Sequence, residues 1–325
     1  MRAVWYERFG AAEEVLEFGE MPAPDPVAGE VRVKLAVSGV NPVDVKRRLG
    51  GRGEMSAQRV VPHFDGAGVI DDVGAGVDAA RVGERVWIFG AQWQRDFGTA
   101  AELFTVPGAN AVPLPADASF EAGACLGIPA LTAFPAVFAD GDVRGKKVLV
   151  TGAAGAVGRY AVQFAKLGGA ETIATVSNEQ KGELAKSAGA DHVLNYKHDD
   201  IAAAVAEITA GQGVDRIVEV EFGGNITTSV AVLKEGGIIA AYASQAKPTP
   251  AVPFYDLMYK SILVRHVLTF QVSDELLRRA LADIGRWLAV GSLSHHVGET
   301  FALADAVSAH QAVERGTVGK VLLKI

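Results

Sequence analysis

The chain has 325 residues, 49% hydrophobic and 21% charged, which is enough for two domains with cores of their own. The formal net charge is −7 and no run of lysine or arginine stands out, so we expect no nucleic-acid partner. One cysteine, Cys125, excludes a disulfide framework and a cysteine-rich metal site. Neither a signal-peptide core nor an apolar run of membrane-spanning length stands out, and we expect a cytoplasmic protein.

Residues 1–120 have the pattern of a β-rich domain. Residues 31–37 alternate apolar and polar side chains, which predicts a half-buried strand. Residues 66–70 and 85–89 predict further short strands, with a glycine-rich turn between them. Short strands with frequent glycine are typical of a compact, barrel-like domain.

Residues 121–265 alternate between strand and helix patterns. Such alternation predicts an α/β fold with a doubly wound parallel sheet, covered by helices on both faces. Strands are predicted at 147–150, 172–176, 192–196, 215–220 and 237–242. Helices are predicted after 156, after a capping box of Ser177 and Gln180, and at 201–209 and 227–233. The tail predicts helices at 273–290 and 304–314 and a closing strand at 319–325, and we expect it to rejoin the first domain after about residue 265.

Three glycines spaced three apart follow the first of these strands. Gly152 permits a sharp turn, Gly155 permits close approach of a ligand, and Gly158 permits tight packing of the following helix. The helix then presents free N–H groups to an anion, as the pyrophosphate of a dinucleotide requires. We therefore expect a cofactor-binding segment, with a purely structural glycine turn as the alternative; its members are Gly152, Gly155, Ala156, Val157 and Gly158.

The end of the second strand of this domain bears on the choice of cofactor. NAD sites usually place an acid there to bind the ribose 2′-hydroxyl, but Val176 is followed by Ser177 and Asn178. Ser177 can donate to a phosphate and Lys181 can supply charge, which favours NADPH. A solvated helix lysine is the alternative for Lys181, and the nearby Glu179 counts slightly against a phosphate.

Motifs along nearly the whole chain carry a family resemblance. The chain resembles the zinc-independent quinone oxidoreductases, the zeta-crystallin-like branch of the medium-chain dehydrogenase/reductase superfamily. The motifs are Ser38-Gly-Val-Asn-Pro-Val-Asp44, Asp65-Gly-Ala-Gly-Val69, Val82-Gly-Glu-Arg-Val86, Gly98-Thr-Ala-Ala-Glu102, Ile128-Pro-Ala-Leu-Thr-Ala133, the glycine turn, Gly189-Ala-Asp-His-Val-Leu-Asn-Tyr196 and Gly319-Lys-Val-Leu322. The resemblance implies a GroES-like catalytic domain in two pieces, 1–120 and 266–325, and an NADP-binding Rossmann domain at 121–265. It also implies a cleft where nicotinamide meets substrate, and a homodimer formed through the edge of the Rossmann sheet.

The resemblance also implies cofactor contacts beyond the glycine turn. Tyr196 stands where relatives of this branch place a tyrosine against the 2′-phosphate. Further matching positions line the cofactor in the family: Asn41, Thr132, Gly223, Ala243, Ser244 and Lys320. The carboxamide of Asn41 can bond the nicotinamide amide or the substrate oxygen, and Asp44 is a candidate catalytic residue or a capping residue of the same turn.

No metal site is expected. In zinc-bearing relatives the positions of Asn41 and Phe64 hold a ligand cysteine and a ligand histidine, and zinc needs at least three protein ligands. His63 is nearby, and we interpret this single histidine as a hydrogen-bonded structural residue. Cys125 is interpreted as a small buried residue.

The substrate end departs from the family pattern. Bacterial quinone reductases of this type often carry two tyrosines where this chain has Lys46 and Arg52. Lys46 is a candidate catalytic cation for the charge that develops on a quinone, with a solvated surface lysine as the alternative. Phe89 opens a loop that carries Trp93, which could stack on a flat acceptor or pack in the core.

These observations favour an NADPH-dependent reductase that transfers a hydride, without zinc, to a quinone or a similar conjugated carbonyl compound. An enal, enone or enoyl-thioester reductase of the same fold is the alternative enzyme. A nucleotide-binding protein without useful turnover, structural or bound to single-stranded RNA, is the alternative from another class. The acidic net charge counts against RNA.

Overall fold

The structure, a computed structural model, describes residues 1–51, 53–55 and 57–325. The chain divides into two compact units. The first contains Met1–Ile128 and Leu281–Ile325, and the second contains Pro129–Ala280. Both divisions fall inside helices, somewhat further along the chain than the predicted boundaries after residues 120 and 265.

Fifteen strands are formed by the described residues. They are β1 (Arg2–Trp5), β2 (Glu17–Glu20), β3 (Glu30–Val40), β4 (Asp65–Val73), β5 (Arg85–Ile88), β6 (Leu103–Pro107), β7 (Ala111–Pro113), β8 (Lys147–Val150), β9 (Glu171–Val176), β10 (His192–Asn195), β11 (Val214–Glu219), β12 (Leu233–Ala241), β13 (Leu263–His266), β14 (Val297–Ala302) and β15 (Lys320–Lys324).

Eleven α-helices are formed by the same residues. They are α1 (Ala12–Val15), α2 (Pro42–Arg48), α3 (Phe120–Ala124), α4 (Gly127–Phe138), α5 (Ala156–Leu167), α6 (Glu179–Ser187), α7 (Ile201–Ile208), α8 (Phe222–Val232), α9 (Phe254–Tyr259), α10 (Asp274–Ala289) and α11 (Ala306–Glu314).

The second unit is built on a six-stranded sheet in which every pairing is parallel. Its strand order is β10-β9-β8-β11-β12-β13. This is the doubly wound order, which reverses direction between β8 and β11. The predicted parallel sheet is therefore confirmed, and the chain leaves its central strands at the edge where such folds bind ligands.

Apolar strands and helices explain the core of this unit. Leu149, Ile173 and Ile217 lie on neighbouring central strands and are fully buried, as expected for a sheet covered on both faces. Helix α8 adds Ile226 and Val230 to the same cluster. It begins at Phe222, five residues before the start predicted at 227, because a run of small and polar residues hides its first turn.

The predicted capping box of Ser177 and Gln180 is wrong. The N-cap of α6 is Asn178, whose side-chain oxygen accepts a hydrogen bond from the backbone N–H of Lys181 at 2.9 Å. Asparagine is at least as good an N-cap as serine, and it stands three residues before the N–H that it caps. Ser177 is thereby left outside the helix, at the end of β9.

The first unit contains a seven-stranded sheet of order β14-β15-β3-β4-β5-β7, with β6 paired to the first half of β3, and a separate β1-β2 pair. The long strand β3 is central to the sheet, because it pairs with β4, β6 and β15. The antiparallel pairing of β15 with β3 brings the end of the chain to Val37–Val40. This pairing delivers Lys320, at the start of β15, to the neighbourhood of Asn41, which follows β3.

In the part of the chain that the structure describes, no helix is long and apolar enough to cross a membrane.

Candidate functional site

The glycine turn of the second unit leads from β8 into α5. Gly152 has φ +60, a conformation that residues with a side chain adopt at a cost. A Cβ on Gly158 would lie 2.4 Å from the Gly152 carbonyl oxygen, so helix and turn meet backbone to backbone. Gly155 is the N-cap of α5, and no side chain within the described residues caps this end. The first-turn N–H groups, those of Ala156, Val157 and Gly158, therefore have no side-chain cap, which is what an anion site at a helix N-terminus needs; their contact with a pyrophosphate stays a prediction.

Three of the predicted phosphate-binding residues meet at the end of β9. The Lys181 ammonium donates a hydrogen bond to Ser177 Oγ at 3.1 Å. The backbone N–H of Tyr196 donates to the Val176 carbonyl oxygen at 3.1 Å, which places Tyr196 beside the same strand end. The side chain of Tyr196 is exposed. A hydroxyl and an ammonium thus stand where an NAD site has its acid, and the backbone of Tyr196 lies beside them.

A pocket of about 360 Å³ opens at the point where the sheet reverses direction. Thr151 and Gly152 line it after β8, Val220 lines it after β11, and Tyr196 lines it after β10. Ligands of doubly wound sheets bind at this position. The carboxylate of Glu219 anchors the neighbouring strand end, accepting from Thr151 Oγ1 at 2.7 Å and from Asn225 Nδ2 at 2.9 Å. The sequence patterns did not predict this network.

The structure brings Gly223, Ala243 and Ser244 together. The Gly223 N–H donates to Ser244 Oγ at 2.9 Å, and the N–H of the residue before it donates to the Ala243 carbonyl oxygen. A Cβ on Gly223 would lie 2.5 Å from the Lys247 carbonyl oxygen, so only glycine fits here. Thr132 is buried on α4 in the same unit, with 7% of its surface exposed.

A buried ion pair forms the centre of the candidate site in the first unit. The Lys320 ammonium lies 2.6 Å from Asp65 Oδ2 and donates to Asn41 Oδ1, also at 2.6 Å. Asn41 Nδ2 donates to the same Asp65 oxygen at 2.9 Å. The other oxygen of Asp65 accepts from the Ile128 N–H, and a Cβ on Gly127 would clash with it. Asp65 thus fixes both predicted cofactor residues, Asn41 and Lys320, a role that sequence reasoning missed.

Asp44 lies in the first turn of α2, next to this cluster. Its Oδ2 atom accepts a hydrogen bond from the Asn41 N–H at 2.6 Å, which fits the capping alternative for this residue. Burial, and then the charge of Asp65, raise the pKa of Asp44 to about 7. Its catalytic role stays a prediction.

The predicted substrate residues lie on two elements of the first unit. Lys46 is half-buried on α2, and Trp93 is half-buried in the loop after β5. Phe89 packs against the core residue Trp87, with ring centroids 6.0 Å apart. Arg52 lies outside the described residues. The substrate roles of these four residues stay predictions.

A buried polar chain runs beside the ion pair. Thr99 Oγ1 donates to the Asp65 carbonyl oxygen at 2.6 Å, and Ser38 Oγ lies 2.8 Å from Thr99 Oγ1 and 2.8 Å from His63 Nδ1. His63 Nε2 lies 3.0 Å from His310 Nε2. The interpretation of His63 as a hydrogen-bonded structural residue is confirmed, and Cys125 is buried as predicted. The sequence did not indicate that His310 contacts His63, because the two residues are 247 positions apart.

The family models place the chain in an enzyme class. Residues 27–116 match the model of the alcohol dehydrogenase GroES-like domain, and residues 156–286 match the model named zinc-binding dehydrogenase. Together these matches define an oxidoreductase with a GroES-like unit and a Rossmann unit, the fold class expected from the sequence.

Individual relatives specify the family. The chain is 30% identical to the quinone oxidoreductase of Rattus norvegicus, over 99% of this chain and 97% of the relative. It is 31% identical to a 2-haloacrylate reductase of a Burkholderia species, over 99% and 98% of the two chains. The chain belongs to the quinone oxidoreductases of the medium-chain dehydrogenase/reductase superfamily, as predicted.

Solved structures agree with this fold. The quinone oxidoreductase of Escherichia coli, solved in complex with NADPH, matches with a TM-score of 0.88 and 27% identity over 100% of both chains. A structure described as an NAD-dependent alcohol dehydrogenase matches with a TM-score of 0.89 and 30% identity, also over 100% of both chains. The neighbours therefore include proteins described with either nicotinamide cofactor.

Proposed function

We propose that this enzyme is an NADPH-dependent, zinc-independent reductase of quinones and similar conjugated carbonyl compounds. The observation that carries the proposal is the Lys320 ammonium bound to Asn41 Oδ1 and Asp65 Oδ2. These oxygens, at and beside the positions of metal ligands in zinc-bearing relatives, are already engaged by a cation. A zinc ion would have to compete with a buried lysine, whereas a conjugated acceptor needs no Lewis acid because its charge spreads over the conjugated system.

The residues of the second unit fit NADPH. The glycine turn would let backbone N–H groups approach a pyrophosphate, and a side chain at 158 would force the helix away from the backbone of the turn. Ser177, Lys181 and Tyr196 would hold the 2′-phosphate, which an acid at the end of β9 would repel. When bound, the cofactor supplies the hydride.

In the first unit, the chain's own residues position the acceptor and balance charge. Asn41 and Lys320 are held by Asp65, so their donors are fixed before a ligand arrives. Trp93 would meet the acceptor through its ring, and a cation carried by α2, predicted from the sequence as Lys46, would meet it through its charge. The relative named 2-haloacrylate reductase supports conjugated acceptors other than quinones as a second candidate class.

Steady-state assays test this function. We expect NADPH oxidation with 1,4-benzoquinone or methyl vinyl ketone, unchanged by EDTA or 1,10-phenanthroline. NADP⁺ with primary alcohols should give no comparable rate. Loss of quinone and enone reduction in chelator, or stoichiometric zinc in protein purified without a His tag, would overturn the zinc-independent assignment.

We further propose a homodimer through the edge strand β13. Large apolar side chains on α9 and β13 are exposed, an arrangement typical of an interface. They are Phe254, Tyr255, Met258, Tyr259 and Leu263. Light scattering should give twice the chain mass, and Tyr259→Glu should lower it while Val27→Glu, at an exposed site of the first unit, should not. A monomeric mass for the unchanged protein at micromolar concentration would refute the dimer.

A further inference from the structure

We propose that Arg47 selects the acceptor, and that the acceptor it selects is a conjugated acid, with a carboxylate next to the reducible double bond. The inference rests on the proposed function, since it names the substrate class of the same reductase. The predicted substrate cation was Lys46, but the geometry of α2 points to its neighbour.

The helical repeat separates these two side chains. Each residue of an α-helix turns about 100° from the one before, so residues two apart face away from each other and residues three apart share a face. Asp44 packs inward beside Asn41 and the ion pair. Arg47 is three residues after Asp44 and lies on the same face of α2. Lys46 is two residues after Asp44 and lies on another face of the helix.

Two contacts fix the position of the Arg47 guanidinium. Its central carbon lies 5.6 Å from the centroid of the Phe64 ring, and one of its NH groups donates to the Gln92 carbonyl oxygen at 2.6 Å. Phe64 precedes Asp65, and Gln92 precedes Trp93. The guanidinium is therefore held between the strand that carries Asp65 and the loop that carries the predicted stacking residue.

The donors of Arg47 distinguish it from the nearby arginines. Arg48 is fully buried and bonded to the Gly10 carbonyl oxygen and to Glu314, and Arg95 is bonded to Glu30 and the Thr105 carbonyl oxygen. Arg47 is half-buried, and among the described residues the Gln92 carbonyl takes one of its five N–H groups.

A half-buried guanidinium matches a carboxylate, which pairs with its charge and accepts two parallel hydrogen bonds. A quinone carbonyl offers a single oxygen without a formal charge, so it cannot form this two-oxygen pair with a guanidinium. During reduction, the hydride adds to the β carbon and the electron pair of the double bond moves toward the α carbon and the carboxylate oxygens. A proton from water then completes the α carbon. Arg47 would stabilise the charge that accumulates on those oxygens.

A matched pair of acceptors tests the inference. Monomethyl fumarate and dimethyl fumarate differ by one methyl group, but only the first carries a carboxylate. We expect kcat/KM to be at least tenfold higher for the monoester. Arg47→Met should lower it at least tenfold for the monoester and less than threefold for the diester, and Arg47→Lys should give an intermediate loss.

Two further variants and a binding measurement complete the design. Arg59→Met is the matched control, because the Arg59 guanidinium also lies over an aromatic ring, that of Trp5 at 4.5 Å, and is paired with Glu7. It should change neither rate. Calorimetry with the unreactive monomethyl succinate should give a dissociation constant at least fivefold larger for Arg47→Met, with the NADPH dissociation constant within twofold of the unchanged enzyme.

The outcomes separate the two proposals. Equal losses with both fumarates in Arg47→Met, or a selective loss in Lys46→Met instead, would overturn the role of Arg47. Quinone reduction without any monoester reduction would overturn the acid class and leave the proposed function standing. No NADPH oxidation with any conjugated acceptor would overturn both.

Discussion

The Nε2 atoms of His63 and His310 lie 3.0 Å apart, and both rings are fully buried in the first unit. Which atom donates in each hydrogen bond of this series of buried side chains follows from Thr99, at its other end. Thr99 donates to a carbonyl, so it accepts from Ser38, and Ser38 therefore accepts from His63 Nδ1. Because neutral His63 then has no proton on Nε2, His310 must donate from its own Nε2 atom. His310 Nδ1 remains as a buried acceptor without a partner among the described residues.

This arrangement predicts a sensitivity to acid. Burial, and then Arg48, lower the pKa of His310 to about 3, and burial lowers the pKa of His63 well below its usual value. The unfolded chain takes up these protons below pH 6.5 and the folded chain does not, so the free energy of unfolding falls as the pH drops from about 6.5 toward 3. Each histidine contributes a slope of about 1.4 kcal/mol per pH unit.

Urea unfolding of His310→Gln checks the slope. A glutamine amide can still donate to His63, while one titrating group is lost. Between pH 6.5 and 4.5 the free energy of unfolding should depend on pH less steeply in the variant than in the unchanged protein, and the difference should correspond to the uptake of about one proton. His198→Gln, at an exposed site, is the control. An unaltered slope in His310→Gln would contradict the assignment.

The Lys320–Asp65 pair predicts strong coupling. Asp65 is fully buried, so Lys320→Met leaves a carboxylate without its cation and should cost about 3 to 5 kcal/mol of unfolding free energy. Adding Asp65→Asn removes the unpaired charge and should restore part of that loss. A double-mutant cycle in urea measures the coupling, and additive effects of the two substitutions would refute it.

We predict that cofactor preference depends on Lys181. We expect NADPH to bind at least tenfold more tightly than NADH, which is about 1.4 kcal/mol and within reach of one charge-assisted contact. Lys181→Ala should lower the ratio of the NADH dissociation constant to the NADPH dissociation constant. Lys186→Ala removes a lysine from the same helix that is exposed and paired with Glu183, and it should leave the ratio unchanged. Fluorescence titration measures both constants, and equal affinities in the unchanged enzyme would contradict the prediction.

The features that the sequence predicted are those whose signals lie close together along the chain. The glycine turn, the strand before it and the helix after it are contiguous, so their order alone indicated the fold. Lys320 and Asp65 are 255 residues apart, and no local pattern could show that an ammonium fills the position beside Asn41. The choice of Asn178 over Ser177 as N-cap depended on one hydrogen bond between adjacent candidates, which residue type alone does not decide.

The glycine turn allows a comparison between two of its members. A Cβ on Gly158 would lie 2.4 Å from the Gly152 carbonyl oxygen and 2.9 Å from Ala153 Cα, both backbone atoms that cannot move independently of the turn. A Cβ on Gly155 would meet the same carbonyl oxygen at 3.2 Å, a contact that a shift of a few tenths of an ångström relieves. Gly158→Ala should therefore cost about 1 to 3 kcal/mol of unfolding free energy and more than Gly155→Ala.

NADPH affinity should also fall further in Gly158→Ala than in Gly155→Ala. Separating the helix from the turn would spread the N–H groups that are proposed to bind the pyrophosphate. Urea unfolding and fluorescence titration of both variants measure the two effects. Equal stability and equal NADPH affinity of the two variants would show that the turn tolerates a side chain at position 158.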